Sequence, residues 1–86
     1  MTASYEVVLR RSAAKQLRSL PRRDLARVVR RMRLLAADPR PHGCEKLSGA
    51  EQYRIRQGNY RIVYGIDDAA HRLEVVAIGH RREVYR

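Results

Sequence analysis

Six arginines, a tyrosine and a histidine fall into two short stretches of this chain, and together they suit phosphodiester chemistry. Arg54, Arg56 and Arg61 lie between Tyr53 and Tyr64. Arg81, Arg82 and Arg86 lie with His80 and Tyr85 in the tail. Cleaving RNA by attack of its own 2′-OH has three requirements. A proton must leave the hydroxyl, the phosphorane-like transition state must be neutralised, and the 5′-oxygen must be protonated as it departs. Guanidinium groups meet the second requirement through fork-shaped donation to phosphate. They move protons poorly, because arginine stays charged at any ordinary pH. Tyr85 and His80 are therefore the candidates for proton movement, His80 because an unperturbed imidazole titrates near ~6.5.

The stretch Tyr53-Arg54-Ile55-Arg56-Gln57-Gly58-Asn59-Tyr60-Arg61-Ile62-Val63-Tyr64 reads as a β-hairpin. Gly58-Asn59 suits a two-residue turn, since glycine tolerates the positive φ such turns need. That register sets Gln57 against Tyr60, Arg56 against Arg61, Ile55 against Ile62, Arg54 against Val63 and Tyr53 against Tyr64. Directly opposed residues share a face. One face is Tyr53, Ile55, Ile62 and Tyr64; the other carries Arg54, Arg56 and Arg61. A slip of one residue would set Ile55 against Arg61 and mix the faces. Like charges opposed on a sheet repel, so Arg56 facing Arg61 predicts an anion between them. Surface arginines on a basic protein are also commonly just solvated, or bind phosphate without chemistry. Tyr85 has a plain alternative as an edge plug.

Other constellations are missing. Ser4, Ser12, Ser19 and Ser48 have no Gly-x-Ser-x-Gly setting. His42, His71 and His80 do not stand at ligand spacing with Cys44 or with carboxylates, so no metal site is expected. No glycine-rich phosphate loop is present, and no cofactor is expected. Paired carboxylates are absent from the arginine face as the hairpin draws it.

The elements that must position these residues follow from periodicity. Tyr5 to Leu9 predicts a first strand. Ser12 is the expected N-cap of a helix to about Leu20, with Ala13, Ala14, Leu17 and Leu20 at helical spacing. After Pro21, the spacing of Leu25, Val28, Val29, Met32 and Leu35 predicts an amphipathic helix from Arg22 to about Ala37. Its outer face carries Arg22, Arg23, Arg27, Arg30, Arg31 and Arg33, which suits either a solvated surface or a footprint on a large RNA. Asp38-Pro39-Arg40-Pro41-His42-Gly43 is a loop, and Asp67 to Ala70 a turn. Leu73 to Gly79 predicts a central strand, and the tail from His80 leaves room for a short edge strand. The order β-α-α-β-β-β argues for an α+β fold, with the helix pair on one face of the sheet and the arginine face open.

The chain has 86 residues, the length of a single small domain. Such a chain buries roughly 60–70% of its unfolded surface. No stretch approaches the ~20 apolar residues of a membrane span. The opening residues lack a basic segment followed by an apolar run, so no signal peptide is expected. Cys44 is the lone cysteine, and a reduced, cytoplasmic setting is expected. The formal charge of +10 suggests a polyanionic partner, most simply a nucleic acid. The excess is uneven: residues 1–43 carry net +8 and residues 44–86 net +2. Of the basic residues 17 are arginine, and GC-rich coding offers a plain reason for that surplus. It does not explain three arginines on one hairpin face.

The segments Tyr53-Arg54-Ile55-Arg56, Gly58-Asn59-Tyr60-Arg61-Ile62-Val63-Tyr64 and Gly79-His80-Arg81-Arg82-Glu83-Val84-Tyr85 resemble the RelE toxins of the RelE/ParE superfamily. The resemblance covers nearly the whole chain, including Leu9-Arg10-Arg11-Ser12-Ala13-Ala14-Lys15-Gln16-Leu17. It implies a RelE-like (microbial-ribonuclease-like) α+β domain over residues 1–86: an N-terminal strand, an α-hairpin, then a mainly antiparallel sheet. It implies a bacterial type II toxin that enters the ribosomal A site and cleaves mRNA there without a metal. Carried over by motif, Arg61 would hold the scissile phosphate, and Arg81 would stabilise charge with a part in leaving-group protonation. Tyr85 would orient or activate the 2′-OH and stack on a base. Arg54 and Arg56 fall where the best-known members have lysines; they would supply charge but carry protons poorly. Arg82, His80 and Arg86 would contact the RNA. The partners implied are the ribosome, its mRNA and a RelB-like antitoxin that turns carboxylates to the arginine face in a toxin–antitoxin hetero-oligomer. Two other readings share the fold: a ParE-like inhibitor of DNA gyrase, and a non-catalytic basic nucleic-acid-binding member.

Overall fold

The computed structural model describes residues 4–47 and 51–80. Strand β1 (Glu6–Leu9) leads into helix α1 (Arg11–Arg18) and helix α2 (Arg22–Ala37). Strands β2 (Glu45–Lys46), β3 (Gln52–Gln57), β4 (Tyr60–Asp67) and β5 (Arg72–His80) follow. They form one sheet in the order β1-β5-β4-β3-β2. Only the β1–β5 pair is parallel; the three other pairs are antiparallel. This is the α+β arrangement expected from early helices and late strands. The predicted short edge strand after His80 falls on residues 81–86, outside the described residues.

The helices cover one sheet face because their apolar stripes fit the sheet's apolar residues. From α1 and α2, Ala13, Val28, Met32 and Leu35 are buried. From the sheet, Tyr53, Ile55, Ile62, Tyr64, Ile66, Leu73, Val75 and Ile78 join the same core. Val7, Leu9, Leu17 and Leu20 pack at its margin. These positions follow the period of their element, 3.6 for a helix and 2 for a strand, except at one step in β5 between Val75 and Ile78. A bulge at Val63/Tyr64 interrupts the β4–β5 ladder: Val63 pairs with Ala77, but Tyr64 pairs with Val75. The extra residue is Val76 on β5, and it keeps both Val75 and Ile78, three positions apart, on the helix side opposite Tyr64 and Ile62.

Three local details differ from the sequence reading. Helix α1 begins earlier than a Ser12 cap allows: Ala14 N–H donates to the Arg10 carbonyl at 2.9 Å, so Ser12 lies in the first turn. Arg10 occupies the cap position with no side-chain bond. The working serine is at the other end, where the Ser19 hydroxyl donates to the Gln16 carbonyl at 2.7 Å. The third difference is β2, two residues long, which pairs Glu45 with Arg54 and Lys46 with Tyr53.

The loop after α2 is pinned to the sheet by a cluster of polar contacts. The Tyr64 hydroxyl donates to the Pro39 carbonyl at 2.7 Å. Arg40 donates to the Tyr53 hydroxyl at 3.1 Å and to Asp68 Oδ2 at 2.9 Å, and the Tyr5 hydroxyl donates to Asp68 Oδ1 at 2.6 Å. Arg40, then Tyr5, hold the Asp68 carboxyl below its ordinary range. This clasp joins the residue before β1, the loop, β3 and the β4–β5 turn.

The packing makes a direct prediction. Ile62 is fully buried at the centre of the sheet, and Leu34 is 55% exposed on α2. Ile62→Ala should destabilise by about 2–5 kcal/mol, whereas Leu34→Ala should stay within about 0.5 kcal/mol. Urea unfolding of both variants checks this, and similar costs at the two sites would contradict the assigned core.

Candidate nucleic-acid interface

Strands β3 and β4 pair in the register that the sequence predicts. Arg56 faces Arg61, Ile55 faces Ile62, and Arg54 faces Val63. The turn between them contains Gly58 at φ +61°, a conformation that favours glycine. With Ile55 and Ile62 in the core, the alternation sends Arg54, Arg56 and Arg61 to the face away from the helices. Arg56 is exposed. The Arg54 side chain retains 24% exposure, and the Arg61 Nε is closed off from solvent. A guanidinium whose stem is already held loses less freedom when it grips an anion.

The structure does not bring every predicted site residue to this face. His80 pairs with Tyr60, one step along from the Arg61–Gly79 pair. Alternation therefore places His80 on the helix side. There its ring meets Tyr60 edge-on at 6.0 Å, beside a hollow lined by Gln16, Pro21 and Tyr60. The expected juxtaposition of His80 with the arginines is corrected accordingly. Arg81, Arg82, Tyr85 and Arg86 lie outside the described residues. Among the described residues, no three His, Cys, Asp or Glu side chains gather as a metal site would need.

One functional candidate was invisible in the sequence reading. Glu45 lies directly opposite Arg54 and so shares the arginine face, a single carboxylate that the hairpin alone does not reveal. Arg54 Nη2 donates to Glu45 Oε2 at 2.8 Å. The Arg54 hydrogen bond and charge, with the fields of Arg61 and Arg56 behind them, hold the Glu45 carboxyl below the ordinary glutamate range. The signal that could have found it is weak: a Glu-Lys pair nine residues before Arg54, too short to show any period.

The open face is divided in charge. Beyond the arginines, around Gly65, a groove of about 740 Å³ is lined by Glu6, Glu51, Asp67 and Glu74 with Arg72 as its one basic lining residue. Its charged lining is mainly carboxylate, which does not suit a phosphate. On the outer side of α2, Arg27, Arg30 and Arg31 surround exposed Leu34, and Arg31 Nε donates to Gln57 Oε1 at 3.0 Å. No described helix is long and apolar enough to cross a membrane.

The charge geometry is testable without substrate. Glu45 should titrate below the ordinary range in a carbon-detected NMR experiment, and Arg54→Ala should return it most of the way. Because its folded value is the lower one, the stability it contributes is present above the unfolded glutamate range and lost as pH falls through the folded value. An unshifted Glu45, or one unmoved by Arg54→Ala, would contradict the pairing.

Comparison with known proteins agrees with this architecture. The family model described as ParE toxin of type II toxin-antitoxin system, parDE, matches residues 7–85. A curated relative, Toxin RelE of Mycobacterium tuberculosis, is 34% identical over 84 residues, covering 95% of this chain and 87% of the relative. Among solved structures, the toxin–antitoxin complex RelBE2 of M. tuberculosis contains a chain with TM-score 0.82 and 29% identity, covering 96% of this chain and 98% of that one. The isolated E. coli RelE toxin matches with TM-score 0.81 and 26% identity over 95% of this chain and 92% of that one. The chain belongs to the RelE/ParE superfamily, as a RelE-type toxin of a type II toxin–antitoxin system.

Proposed function

We propose that this toxin is a ribosome-dependent endoribonuclease that cuts mRNA in the A site, by attack of the 2′-OH on the adjacent phosphate, and so stops translation in the cytoplasm. The observation that carries this reading is the set of three guanidiniums on one open sheet face, with Arg56 directly opposite Arg61. Two opposed cations on one face attract an anion, and a phosphodiester is such an anion. As the phosphorane forms, its charge grows from one toward two, so the same donors bind the transition state better than the ground state. Arg61, with its stem held, is the main phosphate clamp; Arg54 and Arg56 add charge. Arg81 and Tyr85 complete the set, Arg81 beside the developing charge and Tyr85 at the 2′-OH or stacked on a base. Arg82 and Arg86 extend the contact along the RNA.

The neutralising partner is a RelB-like antitoxin. Support comes from the RelBE2 relative, whose structure is that of a toxin–antitoxin complex. A carboxylate-bearing segment laid on Arg54, Arg56 and Arg61 would occupy the sites a phosphate needs. The matching family model carries the ParE name, which keeps DNA gyrase inhibition as the second reading.

The deciding experiment translates a defined mRNA on purified ribosomes and maps the 3′ ends. Cuts at the A-site codon that appear only with ribosomes support the proposal. Inhibited gyrase supercoiling without mRNA cuts would replace it with the second reading. Within this assay, Arg61→Ala should lower cleavage by about 10²–10³-fold while leaving the fold intact. Tyr85→Phe should slow cleavage strongly if the hydroxyl handles a proton. Normal cleavage in Tyr85→Phe with loss in Tyr85→Ala would assign stacking instead.

A further inference from the structure

Phosphate gripping is only part of the reaction. Something must accept the 2′-OH proton, and the three arginines cannot. A neutral tyrosine hydroxyl, ordinarily titrating near ~10, is a weak acceptor at neutral pH. Among the described residues of the arginine face at its hairpin end, Glu45 is the group in the correct state.

We propose that Glu45 is a displaceable counter-ion of Arg54, and that it accepts the proton of the attacking 2′-OH once a phosphate has taken Arg54; this rests on the endonuclease reading above. Its position carries the argument. Glu45 is fixed opposite Arg54 by the β2–β3 pairing, and its Oε2 accepts from Arg54 Nη2 at 2.8 Å. Its side chain is 65% exposed, so a substrate can reach it. The charged groups facing it are Arg54 and Arg56 from β3 and Arg61 from β4. On its own strand Lys46 pairs with Tyr53, and its ammonium meets Glu51 at 3.3 Å.

Without substrate, Arg54 holds Glu45 ionised and weakly basic. An incoming phosphodiester competes for the Arg54 fork and draws part of its charge away. Glu45 then becomes a stronger base only when substrate is present. The proton transfer also conserves the charge facing the arginines. One negative charge leaves the carboxylate as one appears on the phosphorane, and the same guanidiniums serve both. In the step itself, the 2′-O–H bond breaks and its proton passes to Glu45. The 2′-oxygen bonds to phosphorus, the P–O5′ bond breaks with its electron pair on O5′, and that oxygen takes a proton from water. A 2′,3′-cyclic phosphate and a 5′-hydroxyl remain, and Glu45 returns its proton to solvent.

The test is single-turnover cleavage on programmed ribosomes, with the unaltered toxin in the same assay. Glu45→Gln should cut about 10²–10⁴-fold more slowly. It should bind ribosomes carrying an uncleavable 2′-O-methyl A-site codon at least as tightly as the parent. Glu45→His should recover part of the rate, with the acid limb of its pH profile moved up toward ~6.5. A merely structural Glu45 would show no such movement. The proposal is overturned if Glu45→Gln cuts at the parental rate with the parental pH profile, or if it loses binding and cleavage in equal measure. Failure of the unaltered toxin to cut at all would instead overturn the endonuclease reading, and this proposal with it.

Discussion

The register between β3 and β4 is the constraint on which the other features depend. Ile55 opposite Ile62 puts two isoleucines into the core, each worth roughly 1.5–3 kcal/mol of burial. The same register forces Arg56 against Arg61, a repulsion of roughly 0.2–1 kcal/mol on an exposed face. Apolar burial wins, so the like charges are held together by the core behind them. Shifting one strand by a residue would bury arginine and expose isoleucine. The cationic face is thus set and preorganised by the packing behind it.

The other elements hold that hairpin in place and supply its counter-charge. Helices α1 and α2 cover its apolar side, and β5 buttresses β4. Where β5 runs past the end of β1, the Gln16 side chain of α1 accepts the Ile78 N–H at 2.8 Å, so the exposed strand edge is still paired. The Arg40 clasp holds the loop after α2, and the β2–β3 pairing sets Glu45 opposite Arg54. The charge divides over the open face accordingly: cations near the hairpin turn, and carboxylates around Gly65 at the far end. Under the proposed function, that division would give an RNA one end to grip and one end to avoid.

Much of this was legible in the sequence because the relevant signals are periodic. Helix α2 spans Arg22–Ala37 as its apolar spacing predicts, and every pair of the β3–β4 hairpin follows from the Gly58-Asn59 turn and the alternation around it. The misses occur where period is lacking or interrupted. Strand β2 has two residues and no pattern, so Glu45 emerges only when the pairing places it. The extra residue Val76 reverses the faces of the β5 residues after it, which places His80 on the helix side, a shift that the sequence does not show. The first turn of α1 illustrates a third cause. Ser12 has the right chemistry for a cap, yet Arg10 occupies that position because the strand and the core fix where the helix starts.

The central claim is that the Arg54, Arg56 and Arg61 face receives the scissile phosphate of an A-site mRNA. The most direct measurement is an electron cryo-microscopy structure of this toxin on a ribosome programmed with a 2′-O-methyl A-site codon, which blocks the attack without removing the phosphate. The claim predicts that phosphate lying between Arg56 and Arg61, with the helix side turned away and Arg54 shifted from Glu45 toward the RNA. A toxin that docks through the arginines of α2, with the sheet face directed away from the mRNA, would contradict it.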